Sequence, residues 1–152
     1  MDDQHKPEWI KVDEWDFVEY VDSLLRSQEA VDLEFKTARA RFPNSVWETY
    51  SSFANTDGGT IVLGIKEKNG ALFVEGLLPE QIVSYRQIIC NQLNNPDCVN
   101  VNLLTDKNIQ EVDYRGKSLL LIYVPRASRS QRPVYLTRNP LNGPTYKRNT
   151  EG

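Results

Sequence analysis

Apolar residues recur at helical spacing in three stretches of the chain and alternate or run together in several others. Phe17, Val21, Leu24 and Leu25 share one face behind Asp13, a residue suited to capping, with acids in the first turn; this predicts a helix over 14–26. Trp47, Tyr50, Phe53 and Ala54 repeat in the same way after Ser45 and Glu48, which have the spacing of a capping box, and Asp57-Gly58-Gly59 stops that second helix. Pro79 suits a first helical position, with Ile82, Tyr85, Ile89 and Leu93 on one face until Asn94-Asn95-Pro96 ends the third helix. Between them, Val31, Leu33 and Phe35 alternate with Asp32, Glu34 and Lys36, the period of a strand with one buried face. Thr60 to Ile65 reads as a buried strand, Lys68-Asn69-Gly70 as a tight hairpin turn and Ala71 to Val74 as its return. Val99 to Thr105, Ile109 to Tyr114 and Leu119 to Val124 read as a meander turning at Arg115-Gly116, with two further short strands at 133–136 and 145–148. This order predicts an α+β fold, a mixed, mostly antiparallel sheet of about seven strands with three helices. At 152 residues the chain has room for one core. We expect an acidic segment and helix over 1–26 and the domain proper over 27–152.

Charge changes this picture. The net charge of -3 conceals a strong polarity along the chain. Residues 1–34 carry eleven Asp and Glu against Lys6, Lys11 and Arg26. From Tyr114 to Thr150 there is no acid, only Arg115, Lys117, Arg126, Arg129, Arg132, Arg138, Lys147 and Arg148. The two ends either hold one another, or the basic run, interleaved with Tyr123, Tyr135 and Tyr146, tracks phosphates and stacks bases. The longest apolar run, Leu119 to Val124, is too short to span a membrane, and the amino end lacks the apolar segment of a secretion signal. Two cysteines, Cys90 and Cys98, with the single His5 make neither a four-ligand zinc site nor a C-x-x-C redox pair. They fit free thiols in a reducing cytoplasm, the expected location.

Few motifs carry chemistry. Gly116-Lys117-Ser118 resembles the end of a P-loop, but Glu111 stands where the earlier glycine belongs and a strand follows in place of a helix. Gly58, Gly59 and Gly64 do not compose a dinucleotide fingerprint, and no histidine is placed to activate a serine or threonine. Glu29 and Glu34 flank one strand and Glu67 follows another. If those strands are neighbours, three carboxylates could gather to hold Mg²⁺ or Mn²⁺ for phosphodiester hydrolysis; otherwise they are solvent-facing acids at a sheet edge.

Glu29-Ala-Val-Asp-Leu-Glu34-Phe35-Lys36 and Ser52-Phe53-Ala54-Asn55-Thr56-Asp57-Gly58-Gly59-Thr60-Ile-Val-Leu-Gly64-Ile65 resemble the Schlafen AlbA-like domain. Arg132-Pro133-Val134-Tyr135-Leu136 and Tyr146-Lys147-Arg148-Asn149-Thr150-Glu151-Gly152 resemble its end. The resemblance covers about residues 27–152. It implies a nucleic-acid-binding, specifically DNA-binding, module of prokaryotic proteins labelled transcriptional regulators or RecG-related ATP-dependent DNA helicases, excised from a longer chain. The candidate contacts are Lys36, Arg39, Arg41, Asn55, Arg126, Arg129, Arg132, Lys147 and Arg148. In animal Schlafen proteins two copies of the domain cut structured RNA with three acids and a divalent metal. That resemblance makes Glu29, Glu34 and Glu67 candidate catalytic and metal-binding residues, Mg²⁺ or Mn²⁺ the cofactor, and a homodimer the expected assembly. Here Lys66 precedes Glu67, where the family commonly has a second acid, and its ammonium would compete with a cation. A third reading is an assembly or ligand-sensing domain that leaves nucleic-acid binding to another segment.

Overall fold

The computed structural model describes residues 17–27 and 32–137. Helix α1 (Phe17–Ser27) precedes strand β1 (Leu33–Lys36), helix α2 (Val46–Ala54) and strands β2 (Gly59–Leu63), β3 (Ile65–Lys68) and β4 (Ala71–Val74). Helix α3 (Pro79–Leu93), a 3₁₀ turn (Asp106–Asn108), β5 (Ile109–Tyr114) and β6 (Lys117–Val124) complete the order. One sheet runs β1-β2-β6-β5 and a separate two-stranded sheet holds β3 and β4. β1 lies parallel to β2, with Leu33 opposite Thr60 and Lys36 opposite Leu63. A parallel pair needs a crossover, and α2 supplies it. The β2–β6 and β6–β5 pairs are antiparallel.

Alternation along the strands divides the apolar side chains between two cores. Ile61, Leu63, Leu120, Ile122 and Val124 meet residues of α2 and α3 on one face, whereas Leu33, Phe35, Val62, Leu119, Leu121 and Tyr123 meet Val21 of α1 on the other. With both faces covered, β2 and β6 become nearly continuous apolar runs. α1 is also tied to the β5–β6 turn. Asp22 accepts the Tyr114 hydroxyl at 2.5 Å and the Arg115 guanidinium at 3.1 Å, and that guanidinium lies 5.3 Å from the Tyr114 ring centre. The Tyr114 hydrogen bond, followed by the Arg115 charge, holds the Asp22 carboxyl below its ordinary value of 3.8.

The helices and the hairpin at Asn69-Gly70 form as expected, and several strands do not. Among the described residues there are six strands, four and two, where about seven in one sheet were expected. The run Thr60 to Ile65 breaks at Gly64, whose φ of +112° carries the chain out of the main sheet, so that β3 pairs with β4 alone. Residues 99–105 form no ladder beyond a single bridge from Val99 to Leu136. In the middle of this segment Tyr50 takes the place of a strand partner, its hydroxyl donating to the Val101 carbonyl at 2.7 Å and accepting the Leu103 amide at 2.9 Å, while the Asn102 and Asn108 side chains accept the Leu104 and Thr105 amides. The expected strand at 145–148, like residues 14–16 of the first expected helix, lies outside the described residues. The Ser45–Glu48 capping box is absent because Ser45 is itself in helical conformation and its hydroxyl accepts Lys36 Nζ at 3.0 Å.

Candidate nucleic-acid interface

The segment Phe53 to Gly59 closes α2 and starts β2, and its side chains fix the chain that follows β6. The Gly58 amide reaches back to the Phe53 carbonyl at 2.8 Å with φ +80°. A Cβ on Gly58 would fall 2.8 Å from the Val124 carbonyl oxygen, so no other residue allows strand and loop to approach this closely. A Cβ on Gly59 would meet the buried Phe53 ring at 2.8 Å. The Asn55 amide is buried and engaged at both ends, donating to the Val134 carbonyl and accepting the Val134 amide, each at 2.8 Å. Ser51 adds a second donor to the Val134 carbonyl at 2.6 Å. Asn100 repeats the arrangement one residue to either side, donating to the Pro133 carbonyl at 3.1 Å and accepting the Tyr135 amide at 2.7 Å. Asn55, expected among the nucleic-acid contacts, thus holds backbone.

Between these anchors runs a short cationic loop. It is pinned at its start by the Ala127 amide on the Ala54 carbonyl at 2.8 Å, turned at Ser128–Gln131, and pinned at its end by the two asparagines. Arg126 and Arg129 are exposed on it and Arg132 is half-buried. Among the described residues the ion pairs are Lys36–Glu34 at 3.6 Å and Arg115–Asp22 at 3.1 Å, and none engages these three arginines. Beneath the loop the Tyr123 hydroxyl comes 3.1 Å from where a Gly58 Cβ would stand. Burial, then the charge of Asp32, pushes that hydroxyl up to about 12, and it stays neutral at physiological pH.

The remaining cations lie elsewhere. Val124, before the arginine loop, sits opposite Gly59 at the start of β2, whereas Lys36 sits opposite Leu63 at its end. The two ends are separated by about 13 Å at 3.3 Å per strand residue. At the far end Lys36 is held by Glu34 and Ser45, Arg39 donates to the Glu75 carbonyl at 3.2 Å, and Arg41 is exposed. Lys147 and Arg148 lie outside the described residues. The acidic helix α1 engages Arg115, at the Lys36 end, and makes no ion pair with the arginine loop among the described residues.

Of the candidate metal ligands, Glu34 and Glu67 stand on strands of different sheets. Glu34 alternates with Leu33 and Phe35, which enter the α1-side core, and so projects toward α2. Glu67 lies two residues beyond Ile65, which enters that same α1-side core, and is exposed on the hairpin. Glu29 lies outside the described residues, and among those described no three His, Cys, Asp or Glu side chains gather where a metal could sit. Cys90 is an exposed free thiol and Cys98 a buried one. Among the described residues no helix is long and apolar enough to cross a membrane.

The Schlafen, AlbA_2 family model matches residues 29–152. A solution NMR structure described as the "N-terminal Domain of Putative ATP-dependent DNA Helicase RecG-related Protein" from Nitrosomonas europaea is 28% identical, with 90% of each chain covered and a TM-score of 0.65. The crystal structure of the DIP2311 protein from Corynebacterium diphtheriae is 22% identical over 80% of this chain and 24% of that one, with a TM-score of 0.49. No curated protein matches the chain.

Proposed function

The chain belongs to the Schlafen AlbA_2 family, and from that membership and the geometry of its arginine loop we propose that it is a nucleic-acid-binding module that contacts DNA phosphates through Arg126, Arg129 and Arg132. The observation that carries this reading is the loop itself. Three guanidinium groups, free of ion pairs among the described residues, stand on a backbone fixed at both ends. Guanidinium matches phosphate oxygens with paired donors, and a loop held in place loses little freedom on binding. The Nitrosomonas europaea relative is described as related to a DNA helicase, and we take from it the nucleic acid alone, because this sequence carries no ATPase motif. Lys147 and Arg148 remain candidate phosphate contacts from the family resemblance alone. Arg39 and Arg41 belong to the opposite end of the sheet and Lys36 neutralises Glu34.

The test mixes the chain with labelled duplex DNA, single-stranded DNA and tRNA, in Mn²⁺ or EDTA, on native and denaturing gels beside a Glu34→Gln control. Shifted bands that remain intact support a binding module. Metal-dependent cuts that vanish in Glu34→Gln would replace it with a nuclease using Glu29, Glu34 and Glu67. Unshifted, uncut nucleic acid would remove both and leave an assembly or sensing role.

A further inference from the structure

The β3–β4 hairpin carries an aromatic ring, Phe73, that is about half exposed and lies outside both core clusters among the described residues. Its two faces differ. On one, Ile65 is buried and Leu72 and Val74 pack against the α1-side core, with Glu67 at the outer edge. The other presents Lys66 directly opposite Phe73 and Lys68 directly opposite Ala71. Lys66 and Lys68 are exposed, and the Phe73 ring is 52% exposed.

Its surroundings are net cationic, with Lys66, Lys68 and Arg39 against Glu75, whose carboxylate accepts the Thr37 hydroxyl at 2.5 Å. Cross-strand neighbours stand about 5 Å apart at Cβ, which puts the Lys66 ammonium within reach of a group resting on the Phe73 ring. Arg39 adds its guanidinium at the hairpin's base, donating to the Glu75 carbonyl at 3.2 Å. Among the described residues no ion pair engages Lys66, Lys68 or Arg39, and Glu67 projects from the other side. The turn, with Asn69 at φ +54° and Gly70 at φ +80°, is of the type that matches strand twist and holds a two-stranded ribbon in shape. An exposed ring flanked by unpaired lysines is the arrangement that stacks a base while its neighbouring phosphates are neutralised.

We propose that this face is a second contact, for single-stranded DNA, in which one base stacks on Phe73 and the flanking phosphates lie on Lys66 and Lys68. The inference rests on the nucleic-acid reading above and adds to it a preference for unpaired bases, since a duplex keeps its base faces covered. The contact lies toward the end of β2 away from the arginine loop, so a bound strand runs along the domain from one cationic end to the other.

The experiment measures fluorescence anisotropy of labelled oligothymidylate, oligouridylate and a blunt duplex with the 152-residue chain. Four variants accompany it: Phe73→Leu, Phe73→Trp, Lys66→Ala with Lys68→Ala, and Arg126→Ala with Arg129→Ala and Arg132→Ala. Phe73→Leu keeps an apolar residue at an exposed position and leaves the fold intact, which thermal melting verifies. We expect it to weaken oligothymidylate binding about 5- to 150-fold, the range for loss of one stacked base, with duplex binding unchanged. Phe73→Trp restores the affinity, and the lysine pair lowers the salt slope for the single strand by about 1.4. A wild-type chain that binds none of the three probes removes the nucleic-acid reading and this contact together. Wild-type binding that depends on the arginines yet is unchanged in Phe73→Leu overturns the hairpin contact alone. Tighter oligouridylate binding that is lost in Phe73→Leu makes it an RNA site, and a dimer lost in Phe73→Leu without change in affinity makes it a contact between copies; either overturns the proposal.

Discussion

Replacing Asn55 with leucine, a side chain of similar volume and no polarity, tests whether the arginine loop is held from beneath. In the wild type the Asn55 amide accepts the Val134 amide and donates to the Val134 carbonyl, each at 2.8 Å, and Val134 is fully buried. Besides a longer bond from Asn55 Nδ2 to the Ser51 hydroxyl at 3.3 Å, the two bonds to Val134 are lost with different consequences. The Val134 carbonyl keeps the Ser51 hydroxyl at 2.6 Å, so losing the Asn55 donor costs about 0.5–1.5 kcal/mol. The Val134 amide has Asn55 as its acceptor and is left buried and unsatisfied, at about 1–3 kcal/mol. Together the change should destabilise the domain by about 2–4 kcal/mol, or lower Tm by about 4–16 °C for a chain of this size. Thermal and urea unfolding of Asn55→Leu, Ser51→Ala and the double variant provide the measurement. Because both side chains serve one carbonyl, the double variant should be worse than the sum of the singles. A loss below about 1 kcal/mol for Asn55→Leu, or strict additivity with Ser51→Ala, would refute the clamp.

Other outcomes follow from the same geometry. Gly58→Ala and Gly70→Ala both force a left-handed residue, at about 1–2 kcal/mol, but Gly58 would also drive its Cβ to 2.8 Å from the Val124 carbonyl while Gly70 meets nothing within 4 Å. Urea unfolding should find Gly58→Ala clearly the more damaging, and equal losses would contradict the close approach. The Asp22 carboxyl, held below 3.8 chiefly by the Tyr114 hydroxyl, stabilises the docking of α1 at pH above 3.8 and loses that effect as pH falls through its own lowered value. Carboxyl titration followed by NMR should place Asp22 closer to 3.8 in Tyr114→Phe, with α1 amides exchanging faster in acid; an unmoved titration would show that the hydroxyl does not set it.

What was legible in the sequence was what local pattern determines. Ile82, Tyr85, Ile89 and Leu93 are the buried face of α3, and Asn69-Gly70 turns its hairpin, because helical spacing and turn chemistry are local. The break at Gly64 was hidden inside an apolar run where both neighbours are buried. Residues 99–105 have strand-like composition, but Val101 and Leu103 at their centre bond the Tyr50 hydroxyl, about fifty residues away. Asn55 stood among the candidate contacts through the resemblance, and nothing near it in sequence shows that its amide meets Val134, 79 positions on. The basic residues could be counted but not located, since a charge run does not state which end of a strand it follows. Lys36 looked available only because Glu34 and Ser45, two and nine residues away, do not reveal themselves as its partners. Phe73 drew no attention as part of a short apolar strand, although its pairing with Lys66 across the turn could have been written from the hairpin register.

The central claim, that the arginine loop neutralises DNA phosphates, is tested most directly by the salt dependence of binding. Affinity for one duplex would be measured across a series of NaCl concentrations for the wild type and for the variant with alanine at Arg126, Arg129 and Arg132. Each phosphate neutralised contributes about 0.9 to the slope of log affinity on log salt. The account predicts a steep wild-type slope that falls by about 2.7 in the variant, with melting behaviour retained. A wild-type slope near zero, or one that the three substitutions leave unchanged, would contradict it.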